Sequence, residues 1–323
     1  LKEIKPDALI ISDPGIYTIA KEICPEIERH ISTQANNTNY VTYQFWWNQG
    51  AKRVVTAREL SLKEIAEIRK NIPDEMEIET FVHGAMCISY SGRCLLSNYF
   101  TGRDANLGAC THPCRWKYYI MEENRPGEFL PVEENERGTY IFNSKDLCMI
   151  EHIPDLVQAG IDSFKIEGRM KSIHYVSTVS NVYKAAVDSY MADPENYVCK
   201  QEWIDELWKV AQRELSTGFY YNIPTEEEQL FGARRKIPEY KFIGEVLAYD
   251  EASQTATIRQ RNAFEVGDEI EFYGPGFHHF EQKVDVMYNE EGESIDRAPN
   301  AMMILTMPVI EKVSPGDMIR KRK

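Results

Sequence analysis

The chain has 323 residues, 43% of them hydrophobic and 27% charged, an ordinary globular composition that is long for one domain. Its net charge of -14 argues against non-specific nucleic-acid binding through bulk positive charge, which depends on clustered Lys and Arg. No apolar run approaches the roughly 20 residues of a membrane span and no secretory pattern opens the chain, so a soluble, cytoplasmic protein is expected.

In chain order, the first part repeats one unit, a short apolar run followed by a segment of helical period, as in parallel strands joined by crossover helices. Strands are expected at residues 8–12, 29–33, 53–56, 78–83 and 163–166, and helices at 15–23, 39–49, 62–71, 146–159 and 173–191. The fourth unit is interrupted between strand and helix by an insertion at about residues 84–145, at the strand end where α/β folds place their active sites. Polar residues at every strand end suggest a barrel rim: Ser12 and Asp13, Thr33 and Gln34, Arg58 and Glu59, His83, Lys165 and Glu167. The pattern predicts a (β/α)8 TIM-type barrel over residues 1–200 that lacks its first three βα units. A helical connector follows over 201–236. Residues 237–323 then alternate as short strands with turns at Val266-Gly267-Asp268 and Ser314-Pro315-Gly316-Asp317, which predicts a small antiparallel β-barrel. Strands there are expected at 240–248, 255–260, 268–273, 283–288, 302–306 and 317–320.

The seven cysteines do not suit a disulfide scaffold in a reducing compartment. Cys87, Cys94, Cys110, Cys114 and Cys148 all fall within the interrupted unit, whereas Cys24 and Cys199 sit in helical contexts and read as structural. Soft thiolates in a near-tetrahedral array suit zinc or an iron-sulfur cluster. Structural zinc favours paired knuckles, and only Cys110 and Cys114 come close. The wide spacing of Cys87, Cys94, Cys110 and Cys148 is more typical of a cluster gathered from separate loops, with zinc and buried thiols as the alternatives.

No H-E-x-x-H helix or G-x-S-x-G elbow supplies a hydrolytic engine, although a cysteine paired in space with His83 or His112 would. Rim residues Gln34, Arg58 and Arg169 are candidates for binding an anionic substrate, and His83, Glu167 and Lys165 for acid-base chemistry. The plainer readings are that Arg58 pairs with Glu59, that Lys165 pairs with Glu167, and that His83 is a core histidine. The aromatic stretch from Tyr43 to Trp47 reads as helix packing. Two basic clusters stand against the acidic balance, Arg234-Arg235-Lys236 and Arg320-Lys321-Arg322-Lys323. Together with Arg93, Arg103, Arg115 and Lys117 of the insertion, the first is a candidate for phosphate contacts to RNA.

Residues 79–97, with His83, Gly84, Cys87, Gly92 and Cys94, resemble the signature of peptidase family U32, the collagenase-like proteases. Ser12-Asp13-Pro14-Gly15, Ser32-Thr33-Gln34, Arg58-Glu59-Leu60, Lys145-Asp146-Leu147-Cys148 and Lys165-Ile166-Glu167-Gly168-Arg169 agree with it. The resemblance implies a barrel with three further units before Leu1. It also implies a 4Fe-4S cluster on Cys87, Cys94, Cys110 and Cys148, with Cys114 as the alternative fourth ligand. Members of the family with a C-terminal barrel take part in forming 5-hydroxyuridine at the wobble position of tRNA with prephenate as co-substrate. The resemblance therefore implies tRNA as partner, with a related partner subunit left open. A U32-type peptidase, another RNA or quinone hydroxylation, and a non-catalytic RNA-binding module are the competing expectations.

Overall fold

The computed structural model describes residues 1–87, 89–116, 119–120, 127, 130–131, 144–223 and 239–323. The chain folds as two compact units, Leu1–Met170 with Arg213–Arg235, and Lys171–Gln212 with Lys236–Lys323. The second unit thus takes in the long helix at 173–191 and the connector helix, which the sequence pattern assigns to the barrel half and to a linker.

The first unit alternates strand and helix: β1 (Ala8–Ile11), α1 (Pro14–Ile23), β2 (Glu28–Ile31), α2 (Tyr40–Gln49), β3 (Arg53–Val55), α3 (Leu62–Lys70), β4 (Glu77–Gly84), α4 (Leu96–Thr101), β5 (Asp146–Cys148), α5 (Ile153–Gln158) and β6 (Ser163–Glu167). Local chemistry starts the helices as expected. Asp13 caps α1 by accepting from the Ile16 amide at 2.8 Å, with Pro14 in the first turn, and Ser61 with Glu64 forms a capping box on α3.

Five strands are parallel in sequential order, β1-β2-β3-β4-β6. Opposite the expected helix at 146–159, the structure places β5, a 3-10 turn at Ile150–His152, and only then α5. The reason is local. Asp146 and Leu147 are buried, and Leu147 and Cys148 pair antiparallel with Gly84 and His83, while Pro154 in the first turn of α5 fixes where that helix can begin. β3 and β6 flank β4 at Glu79, and β5 and β6 flank it at His83, so β5 occupies the edge that β3 vacates. That substitution brings Cys148 to the upper end of β4.

The two faces of this sheet differ. Ile11, Ile31, Val54, Ile78 and Val82 lie on one face, and all are buried, as are Ile65 and Ile68 of α3. The other face carries His30, Arg53, Glu77, Glu79, Ser163 and Lys165, which the strand register sets side by side. Parallel sheets are usually apolar on both faces, so a polar face needs internal partners. Glu79, 7% exposed, accepts from Lys165 Nζ at 2.8 Å, Ser163 Oγ at 2.9 Å and Arg53 Nη1 at 3.0 Å. Burial opposes its charge, but these three donors more than offset that and hold the carboxyl below the usual carboxylate range.

In the second unit, α6 (Ile173–Ala192) and α7 (Gln201–Val210) accompany an eight-stranded antiparallel sheet. Its longer strands are β7 (Tyr240–Asp250), β8 (Thr255–Gln260), β9 (Glu269–Gly274), β10 (His278–Lys283), β11 (Ile304–Pro308) and β12 (Met318–Arg322). The strand expected at 283–288 is divided between β10 and a two-residue strand, Met287–Tyr288, because the Pro275–Phe277 turn brings the chain back into register with β9 earlier. Ile243, Ile258, Phe264, Phe272 and Leu305 form its core, with the Phe272 and Phe280 rings stacked at 4.9 Å. Neither sheet is closed by a pairing between its end strands among the described residues. No helix among the described residues is long and apolar enough to cross a membrane.

Candidate metal centre

The strand ends of the first unit carry the cysteines, and the backbone leading to them is specialised. Gly84 ends β4 at φ +108°, and a Cβ there would lie 2.2 Å from the Glu167 carbonyl oxygen, so only glycine permits the close approach of β4 to β6. Three residues on, Cys87 is exposed. Gly92, at φ +76°, lies against the Gln34 side chain two residues before Cys94. Cys114 lies within a 3-10 turn at Pro113–Arg115, Cys110 precedes that turn, and Cys148 ends β5 opposite His83. Cys94, Cys110, Cys114 and Cys148 are all half-buried, and none of the seven cysteines, all of them described, forms a disulfide.

The three rim side chains that the sequence offers for substrate binding instead reach the cysteine-bearing loops. Arg58 Nη1 donates to the Cys87 sulfur at 2.9 Å and to Ser91 Oγ at 2.9 Å, and its guanidinium lies 3.9 Å over the Phe81 ring. Gln34 Nε2 donates to the Ala105 carbonyl at 3.4 Å. Arg169 donates to the carbonyls of Gly108 and, at 2.8 Å, Cys110. Residues from the ends of β2, β3 and β6 thus hold two loops in place. A second donor to sulfur is the backbone amide of His112, 3.3 Å from Cys110 Sγ.

The proposed acid-base residues have mixed positions. Lys165 pairs with Glu79 rather than Glu167: Lys165 lies across from Phe81 on β4, and Glu79, opposite Ser163, is its diagonal neighbour on the same face. Glu167 accepts from the Arg169 backbone amide at 2.9 Å, and His83 is buried, 3% exposed. Arg58 turns to Cys87 and Ser91. Tyr43 and Trp46 are buried, with Trp46 Nε1 donating to Asn37 Oδ1 at 3.0 Å, which accords with helix packing. Arg234, Arg235, Lys236 and Lys117 lie outside the described residues.

One polar cluster gave no signal in the sequence. Arg320, with no exposed surface, donates to both oxygens of Glu206 at 2.5 and 2.8 Å and to both oxygens of Glu271 at 2.7 and 2.8 Å. Glu206, Glu271 and His279 bring donor atoms within 4.8 Å of one another. Two cations, Arg320 and Lys209, already neutralise that carboxylate pair, so it reads as a closed ion network rather than a cation site. Burial and the Arg320 charge push the neighbouring His174 imidazole down to about 4.

Fitness for a metal can be tested on the thiols. A single tetrahedral zinc needs sulfurs roughly 4 Å apart, since each Zn–S bond is about 2.3 Å. No three of these cysteine sulfurs lie within 4.8 Å of one another. Soft thiolates spread over separate loops, with a guanidinium and a backbone amide donating to sulfur, are a donor set that suits a larger cluster.

The first unit is an α/β fold with five cysteines at its strand ends and in the loops that follow them. Residues 1–230 match Peptidase family U32, and residues 238–320 match the Peptidase family U32 C-terminal domain. The chain belongs to peptidase family U32. It is 44% identical over 315 residues to "tRNA hydroxylation protein P1" of Bacillus subtilis, covering 98% of this chain and 74% of that protein. It is 37% identical over 348 residues to "tRNA hydroxylation protein P" of Escherichia coli, covering 95% of this chain and 75% of that protein. A "Collagenase" of Porphyromonas gingivalis is 32% identical over 326 residues, covering 97% of this chain and 75% of that protein.

Proposed function

We propose that the chain is a cytoplasmic iron-sulfur enzyme of tRNA modification, forming 5-hydroxyuridine at the wobble position with prephenate as co-substrate. The observation that carries this is the similarity, across both units, to two relatives named for tRNA hydroxylation. Cys87, Cys94, Cys110 and Cys148 would hold a 4Fe-4S cluster, with Cys114 as the alternative to Cys148. When bound, the cluster supplies electron-transfer or Lewis-acid chemistry.

This chain's own residues then have defined parts. Arg58, Gln34 and Arg169 hold the ligand-bearing loops against the strand ends. Glu79 fixes Lys165 and Arg53 in the polar layer beneath them. His83, beside Cys148 in the sheet, is the candidate to hold or move a proton, and the Arg169 and Arg58 guanidinium groups are also suited to a dicarboxylate. Arg93 and Arg103 in the insertion offer phosphate contacts, to which Arg234, Arg235 and Lys236 would add. The five sequential parallel strands are read as part of a (β/α)8 barrel.

The test is nucleoside analysis of tRNA from a strain lacking the gene, before and after its return. The proposal predicts loss and recovery of the nucleosides derived from 5-hydroxyuridine at the wobble position. An unchanged nucleoside profile would contradict it. The collagenase-named relative favours a second reading, peptidase activity, which predicts turnover of denatured collagen by the purified protein, blocked by alkylating one cysteine.

A further inference from the structure

We infer that Arg58 is a positioning residue that donates a hydrogen bond to the ligand sulfur of Cys87 and thereby raises the reduction potential of the bound cluster. The inference rests on the iron-sulfur reading above and deepens it.

Three observations point to Arg58. Its Nη1 lies 2.9 Å from Cys87 Sγ, a short approach for a donor to sulfur. The guanidinium is also anchored rather than left free, because it stacks 3.9 Å over Phe81 and bonds to Ser91 at 2.9 Å. Finally, its Nε is buried with no acceptor among the described residues. A desolvated N–H without a partner is costly, so the anchored guanidinium still holds a donor that a further acceptor would satisfy.

The physical effect has a definite sign. Reducing a thiolate-bound cluster adds negative charge that spreads onto the sulfurs. A fixed cationic donor at one sulfur favours the reduced state more than the oxidised one, so the potential rises. Gln34 and Arg169 grip the loops through backbone carbonyls, and neither donates to a sulfur in any hydrogen bond described here.

A loop staple and a sulfur donor are separated by comparing Arg58→Met with Ser91→Ala. Each substitution removes the Arg58–Ser91 contact, but only the first removes the donor to sulfur. The measurement is potentiometric titration of the anaerobically prepared full-length protein, followed by visible and electron paramagnetic resonance spectra. The expected result is a lower potential and a changed spectrum of the reduced form in R58M, with S91A at or above the wild-type potential. An R58M potential equal to wild type, or an equal fall in S91A, overturns the inference. If R58M takes up no cluster, Arg58→Gln is titrated in its place, since it removes the cation while keeping a polar side chain against the loop. A lowered potential supports the inference and an unchanged one overturns it. Wild-type protein with no cluster shows instead that the iron-sulfur reading itself fails, and the inference falls with it.

Discussion

Arg58 in the first unit and Arg320 in the second show two uses of the same side chain. Arg320 is fully buried, and its described hydrogen bonds all go to two carboxylates held by α7 and β9. Arg58 is half-exposed, touches a thiol and a hydroxyl, and keeps one buried N–H without an acceptor among the described residues. A guanidinium whose partners are all carboxylates has spent its chemistry on the fold. One bonded to sulfur, with a donor in reserve, retains chemistry for a ligand.

The strongest way to sharpen this contrast is to remove the closed network's centre. Arg320→Met leaves Glu206 and Glu271 buried with Lys209 and the His279 contact to offset them, a loss expected to cost about 3–5 kcal/mol. Thermal unfolding should report a large drop in the stability of the second unit, while the iron content of the protein that remains folded is unchanged. A small change in melting temperature would show that the network is not structural.

A smaller effect is expected at Glu79, the equivalent anchor of the first unit. Glu79→Gln leaves Lys165 and Arg53 in a polar layer without their shared carboxylate, at a cost of about 2 kcal/mol. Because Glu79 titrates below its unfolded value, its stabilisation is present above the usual carboxylate range and is lost as pH falls through the folded value. Chemical denaturation from pH 7 down to about 3 should therefore show wild type approaching E79Q at the acid end. Parallel curves at all pH values would assign the stability to other groups.

Much of this architecture was legible in the sequence. The five parallel strands followed from apolar runs of the right spacing, and α1 and α3 from their helical period, to which the structure adds the Asp13 and Ser61 caps. The cysteine grouping was visible because five of the seven cysteines fall in one interrupted unit. What the pattern could not supply was partnership at long range. Lys165 and Glu167 are near neighbours in sequence, but strand register gives Lys165 to Glu79, 86 positions away. Arg58 and Arg169 read as substrate-binding cations at a rim, whereas the fold turns both toward the cysteine loops. Arg320 sits in a basic terminal run that resembles a frayed tail. Only its pairing in β12 reveals that it is interior, since alternate residues of a strand face opposite ways. Residues 146–159 misled for a related reason: Leu147 and Cys148 extend a sheet through pairing with β4 that no local period encodes.

The claim on which the rest depends is that the cysteine centre holds an iron-sulfur cluster. It is tested by anaerobic purification of the full-length protein, with iron, sulfide and zinc quantitation and a visible spectrum, on wild type and on Cys→Ala variants at positions 87, 94, 110, 114 and 148. The account predicts about four irons and four sulfides per chain, lost in four of the five variants, the unaffected one identifying the non-ligand. Wild-type protein that carries no iron under these conditions would contradict it and return the cysteines to nucleophilic or structural roles.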